Sequence, residues 1–188
     1  MYRPKKSLGQ NFLIDKNIIK KILSLVKIEN SNVIEIGSGK GALTNEILKK
    51  EPKSLSIIEK DDSLINELTS KFSNVKNVNI YKADILKFKI EKIQKKNSII
   101  MGNLPYNISS QILIKFLKQE KWPPKFKDLV FMFQKELGNK IINTYPSPNY
   151  GRLSIIANYR LNIVKKFLVS PNSFYPKPKV TSMVIHFQ

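Results

Sequence analysis

Three short segments carry side chains that could do chemistry at a shared centre. The first is Glu35-Ile36-Gly37-Ser38-Gly39-Lys40-Gly41. Glycines between a strand and a helix let the backbone turn sharply and come close to a ligand, and the helix start adds free amide groups. Glu59 lies twenty positions after Gly39. At the end of the next strand its carboxylate would lie beside the loop and accept hydrogen bonds from ribose hydroxyls. Loop and acid together point to an adenosine-containing cofactor and do not separate NAD from S-adenosylmethionine. A glycine-rich turn with no ligand is the plainer alternative. A nucleotide-binding P-loop is disfavoured, because no Gly-Lys-Ser/Thr closes the motif.

The second segment is Lys82-Ala83-Asp84-Ile85. Asp84 could accept a hydrogen bond from an adenine amine, or it could simply cap a turn. The third is Gly102-Asn103-Leu104-Pro105-Tyr106-Asn107-Ile108-Ser109. An aromatic exocyclic amine is a poor nucleophile, because its lone pair is delocalised into the ring. Two acceptors aimed at its hydrogens favour a pyramidal, more reactive nitrogen. The Asn103 side-chain oxygen and the Leu104 carbonyl could form that pair. Pro105 fixes the backbone and removes a competing donor, and Tyr106 offers a flat face to a base. On local chemistry alone, a strand-to-helix turn with Ser109 as cap accounts for the segment at least as well.

These segments need elements to hold them. Apolar periodicity predicts helices over 16–27 (started by Asp15), 42–50, from Asp61 or Asp62 through 68, after Ser109, over 135–142 and over 153–159. Short apolar runs predict strands at 32–36, 54–58, 78–81, 98–101 and 129–133, the last wholly apolar and so central. Two late strands, near 161–169 and 181–187, are expected to pair at one edge, flanking a Pro-rich stretch over 170–179. Strands alternating with helices predict an α/β fold with a mainly parallel sheet. Each chemistry-bearing segment then follows a strand, on the side where such sheets bind ligands.

Bulk properties narrow the classes. The 188 residues suit one domain. Thirty-three Lys and Arg against fourteen Asp and Glu give a formal charge of +19, a field that favours polyanions. All but Arg3, Arg152 and Arg160 of those bases are Lys, and a solvated Lys-rich surface set by genomic base composition is the plainer alternative. Absence of Cys excludes disulfides and thiolate metal sites, and one His, His186, argues against a metal centre. No apolar run reaches the ~20 residues of a membrane span, and the basic start lacks a secretory core. A cytoplasmic protein is expected.

The chain resembles the ribosomal RNA adenine dimethyltransferase family along its whole length. The resemblance rests on Lys-Ser-Leu-Gly-Gln-Asn-Phe-Leu at 6–13, Glu-Ile-Gly-Ser-Gly-Lys-Gly at 35–41 and Asn-Leu-Pro-Tyr-Asn-Ile-Ser-Ser at 103–110. Phe-Gln-Lys-Glu at 133–136, Tyr-Gly-Arg-Leu-Ser at 150–154 and Phe-Tyr-Pro-Lys-Pro-Lys-Val at 174–180 complete it. It implies a Rossmann-like S-adenosylmethionine methyltransferase with a seven-stranded, mainly parallel sheet and an antiparallel last strand. It implies that Asn11, Leu13, Gly37, Gly39, Glu59, Asp84 and Asn103 line the cofactor site, and that Tyr106 and Phe174 sandwich the target adenine, with Asn103, Leu104 and Pro105 at the reacting amine.

Most segments match the branch that modifies two adjacent adenines near the 3′ end of small-subunit rRNA. The glycine loop and 174–180 are also similar to the erythromycin-resistance enzymes of large-subunit rRNA. The implied partner is ribosomal RNA or a small-subunit precursor, bound by a monomer without a membrane or a metal. Residues 1–188 are expected to form the catalytic domain, with 1–14 as a lid and the family's small helical C-terminal domain absent. Two other classes share part of this pattern. An NAD oxidoreductase would have the loop and Glu59 and would need a proton-transfer group. A non-catalytic RNA-binding assembly factor would bind rRNA without transferring a methyl group.

Overall fold

In the computed structural model, residues 4–5, 8–148 and 150–188 are described. Lys6 and Ser7 of the 6–13 segment, residues 1–3 of the expected lid, and Asn149 lie outside them.

The elements follow in chain order: β1 (Phe12–Leu13), α1 (Lys16–Leu23), β2 (Asn32–Ile36), α2 (Ala42–Leu48), β3 (Ser54–Glu59), α3 (Asp62–Phe72), β4 (Val78–Lys82), β5 (Ser98–Gly102), α4 (Ser109–Leu117), β6 (Phe126–Gln134), α5 (Lys135–Ile142), α6 (Arg152–Arg160), β7 (Ile163–Val169), β8 (Phe174–Tyr175) and β9 (Ser182–Phe187). Seven strands form one sheet in the order β4-β3-β2-β5-β6-β9-β7. Strands β4 to β6 are mutually parallel. Strand β9 runs antiparallel to both neighbours, β6 and β7. The expected mainly parallel sheet with an antiparallel last strand is therefore present, with β9 inserted inside the edge strand β7.

Both faces of the sheet are covered, which explains why β2, β3, β5 and β6 read as apolar runs and not as alternations. On one face Ile34, Ile36, Ile100, Phe131 and Phe133 pack with Ile112, Leu113 and Phe116 of α4, and with Ile141 and Ala157 of α5 and α6. On the other, Val33, Ile57, Met101 and Met132 pack with Ile19 and Ile22 of α1, Ile47 of α2 and Leu68 of α3.

Local chemistry sets the element ends. Asp15 caps α1 by accepting from the amides of Asn17 (2.9 Å) and Ile18 (3.2 Å). These bonds favour its ionised form and lower its pKa, the Ile18 amide most. The helix stops at Leu23, earlier than periodicity predicts, where the Ser24 hydroxyl turns back to the Lys21 carbonyl (2.8 Å). Helix α3 runs longer than expected, because Leu64, Leu68 and Phe72 continue its buried stripe. Among the described residues, no helix is long and apolar enough to cross a membrane.

One feature lacks any periodic signal. Strands β1 and β8 pair antiparallel as a separate ribbon, with Phe12 opposite Tyr175 and Leu13 opposite Phe174. The backbone amide of Ile14 continues this contact to the Ser173 carbonyl (2.9 Å), and the Ser173 hydroxyl donates to Asp15 (3.1 Å). The 6–13 and 174–180 segments, far apart in sequence, thus meet as one structure.

Candidate active site

A cleft opens at the carboxyl ends of β2, β3, β4 and β5. The chain leaves β2 toward β3 on one side, while β5 lies on the other, and such a change of direction opens a crevice between neighbouring strands. Residues from the 8–12 segment, the glycine loop, Glu59, Lys60, 83–85 and 103–108 line it.

Glycines make the approach of these segments possible. Gly37, Gly39 and Gly41 have φ of +68°, +58° and +79°, a region that side chains disfavour. A Cβ on Gly39 would lie 2.8 Å from the Phe12 ring, so the absence of one lets the N-terminal segment press onto the loop. Gly102 ends β5 so close to β2 that a Cβ there would stand 2.3 Å from the Ile36 carbonyl oxygen. That contact draws Asn103 in beside Gly37.

Glu59 ends β3 with a buried carboxylate. Its Oε2 accepts from the Gly39 amide (3.1 Å), and its Oε1 accepts from the amides of Lys60 (2.8 Å) and Asp61 (3.0 Å). Burial raises its pKa, and the three amides work against that rise. Behind the loop, Glu35 is 1% exposed and accepts from the Thr44 hydroxyl (2.6 Å). Burial, with Glu59 nearby, pushes its pKa up to about 7.

Of the two roles that its position suggests, Asp84 takes the turn cap and adds an ion pair. One oxygen caps the turn at the Leu86 amide (2.9 Å), while the other meets the Lys60 ammonium (2.9 Å). Lys60 is the main reason that its pKa falls.

Asn103 begins the loop after β5. Its Nδ2 donates to the backbone carbonyl of Asn11 (2.7 Å), which leaves Oδ1 as its acceptor. Pro105 and Tyr106 line the cleft beside it. The Tyr106 hydroxyl pairs with the Ser182 hydroxyl at 2.5 Å, and burial raises its pKa. Ser109 does not cap α4 as a plain turn would require. Its hydroxyl turns back to the Tyr106 carbonyl (3.2 Å), and Ile108 occupies the cap position without a side-chain bond.

The structure brings together Asn11, Gly37, Gly39, Glu59, Asp84, Asn103, Leu104, Pro105 and Tyr106 around this cleft. Leu13 and Phe174 face elsewhere. Both side chains are buried in the core on the α1–α3 side, Phe174 being 3% exposed, because alternation along the β1–β8 ribbon turns this pair inward. No sequence signal marks Gln10 or Asp61 for the site. The Asp61 carboxylate receives the Lys5 ammonium (2.8 Å) and the Gln10 amide (3.0 Å), strapping the N-terminal segment over the cleft. The helix-cap signal at Asp61 concealed this second role.

His186 is remote from the cleft. Its Nε2 pairs with Asp128 at 2.7 Å, near the opposite end of the sheet where β5 and β6 begin. Among the described residues, no group of three His, Cys, Asp or Glu side chains could hold a metal ion.

Comparison with known proteins bears on this geometry. The family model described as ribosomal RNA adenine dimethylase matches residues 1–188. The ribosomal RNA small subunit methyltransferase A of Pelagibacter ubique is 45% identical over 185 residues, covering 98% of this chain and 70% of that protein. Its namesake from Mycoplasma mobile is 44% identical over 184 residues, with the same coverage of 98% and 70%. Among solved structures, a dimethyladenosine transferase from Plasmodium falciparum superposes with a TM-score of 0.80 at 31% identity, over 94% of this chain and 62% of that one. The 23S rRNA methyltransferase ErmE superposes with a TM-score of 0.74 at 26% identity, over 95% of this chain and 69% of that one. The chain thus spans roughly two thirds of the length of these relatives. A match that runs end to end, relatives this similar, and a cleft built from the segments that carry the resemblance lead to one conclusion: the chain belongs to the ribosomal RNA adenine dimethylase family.

Proposed function

We propose that this protein dimethylates the exocyclic amine of adjacent adenines near the 3′ end of small-subunit rRNA, with S-adenosylmethionine as methyl donor. The observation that carries the reading is the Asn103 side chain, whose amide is held by the Asn11 carbonyl so that Oδ1 is left as acceptor at the cleft. Relatives at 44–45% identity named for the small subunit favour that rRNA over the large-subunit target named for ErmE at 26%.

The cleft fits the cofactor on its own chemistry. A Cβ on Gly37 would project to within 3.8 Å of both the Asn103 carbonyl and Pro105, so its absence leaves room where an amino-acid moiety would lie. In this reading Glu59 accepts from the ribose hydroxyls and Asp84 from the adenine amine, and Ile58 and Ile85, which line the cleft beside them, wall the ring. Asn11 closes the site from the N-terminal segment. S-adenosylmethionine, when bound, supplies an electrophilic methyl group on a sulfonium that departs as a neutral thioether.

The remaining work falls to this chain's residues. Asn103 Oδ1 and the Leu104 carbonyl hold the two hydrogens of the target amine in the first transfer, and one of them holds its remaining hydrogen in the second; each methylated nitrogen then sheds one N–H proton to the surrounding solvent. Pro105 lacks an amide hydrogen that would compete for these acceptors. The Ser182 hydroxyl fixes the Tyr106 ring, which stacks on a base unstacked from the RNA. The segment over 8–12, tied down by Asp61 and Asn103, keeps water from the reacting atoms. Residues 1–188 act as the catalytic unit, with the N-terminal segment as its lid.

Incubation with small subunits lacking dimethyladenosine and with labelled S-adenosylmethionine tests this reading. The expected result is dimethyladenosine at adjacent positions near the 3′ end of the small-subunit rRNA. Absence of label, or label confined to large-subunit rRNA, overturns it.

A further inference from the structure

Residues on opposite sides of the β1–β8 ribbon have opposite fates. In an antiparallel pair, partners directly across from each other project from the same face. Leu13 and Phe174 project into the core, where both are buried. Phe12 and Tyr175 therefore project from the other face. Phe12 lines the cleft and lies against Gly39. Tyr175, its partner, is 61% exposed. A large ring standing in water at the rim of a cleft has no packing reason to be there.

We propose that Tyr175 is an RNA-binding residue, stacking an unpaired base that flanks the target adenine at the cleft rim. This rests on the reading of the cleft as an adenine methyltransferase site. A single-stranded RNA base is the occupant that the surrounding chemistry favours. The Lys40 ammonium lies 5.7 Å from the Phe12 ring centre, and Lys177 and Lys179 are exposed just beyond Tyr175. Flat aromatic surface bordered by cations, on a chain of net charge +19, suits a stacked base with its phosphates neutralised. The ribbon also supplies rigidity: the Pro171–Ser173 turn precedes Tyr175, and the Ile14 amide bonds to the Ser173 carbonyl. Phe12 would then meet the cofactor and Tyr175, beside it on the same face of the ribbon, the RNA.

The test uses the full chain, Tyr175→Ala and Tyr175→Thr, the second keeping strand propensity, with Tyr175→Phe and Tyr175→Trp as ring-preserving variants. The probe is a single-stranded adenine-containing RNA oligonucleotide with 2-aminopurine beside the central adenine. Stacking quenches its fluorescence. Both ring-removing variants are expected to weaken RNA binding about tenfold and to lose the quenching. The Phe and Trp variants should keep both, and S-adenosylhomocysteine affinity should be unchanged throughout. RNA affinity within about twofold of wild type in the ring-removing variants overturns the proposal. So does a parallel loss of S-adenosylhomocysteine affinity, which means that the ribbon itself has been damaged. If the wild type quenches the probe yet methylates no adenine in small subunits, the underlying reading fails while the stacking role stands.

Discussion

Asn103 Nδ2 donates to the Asn11 carbonyl at 2.7 Å, across 92 residues of sequence. One side chain thus joins the loop after β5 to the segment that covers the cleft. It also fixes which amide atom is left to act as acceptor. Replacing Asn103 with Ala removes the acceptor and the tether together. Methyl transfer is expected to fall below detection, while S-adenosylhomocysteine still binds through the glycine loop and Glu59, at reduced affinity. Single-turnover assays with labelled cofactor check the first part and calorimetry the second. Near-normal turnover in this variant would remove Asn103 from the reacting centre.

Glu59 offers a separate handle on the cofactor side. Its carboxylate gathers three backbone amides, including that of Gly39. Charge-assisted hydrogen bonds of this kind contribute about 1.5–3 kcal/mol each. Glu59→Ala is expected to weaken S-adenosylhomocysteine binding by about ten- to a hundredfold, and Glu59→Gln by less. RNA affinity should change little. Calorimetry that finds unchanged cofactor affinity in Glu59→Ala would argue against the ribose contact.

Most of the fold was readable because burial on both faces leaves a plain mark. Strands β2, β3, β5 and β6 are short apolar runs closed by Gly or by polar residues, and the residues placed at the ends of β2, β3 and β5 do meet at one cleft. The β1–β8 ribbon was not readable. Two-residue strands carry no period, and the paired residues Phe12 and Tyr175 lie far apart in sequence. Resemblance marked Phe174 and Leu13 for the site, yet which face a residue takes is set by strand register, and register needs the partner. Asp61 shows another limit, because one carboxylate starts α3 and also anchors Lys5 and Gln10.

Gly102 separates positioning from chemistry. A Cβ there would meet the Ile36 carbonyl oxygen at 2.3 Å, and a backbone atom between paired strands cannot move aside cheaply. Gly102→Ala is expected to destabilise the fold by about 1–3 kcal/mol and to displace Asn103, so turnover falls even at temperatures where the protein remains folded. Gly151→Ala is the control, because nothing lies within 4 Å of a Cβ at that position. Thermal melts should show a clear loss for the first variant and little change for the second. Equal melting temperatures would mean that β2 and β5 can part without cost.

Glu35 links the site to pH. Its pKa is pushed up to about 7 in the folded protein, above the ordinary carboxylate range that it recovers on unfolding. Between those two values the folded state holds the extra proton, so stability falls as pH rises through this window and levels off above about 7. The full loss is on the order of 3 kcal/mol. Glu35→Gln cannot ionise and keeps an oxygen for the Thr44 hydroxyl. Relative to wild type, it should therefore gain stability at pH 8 compared with pH 5, read from denaturant midpoints at both values. The same difference between variant and wild type at both pH values would show that Glu35 ionises as freely in the folded chain as in the unfolded one.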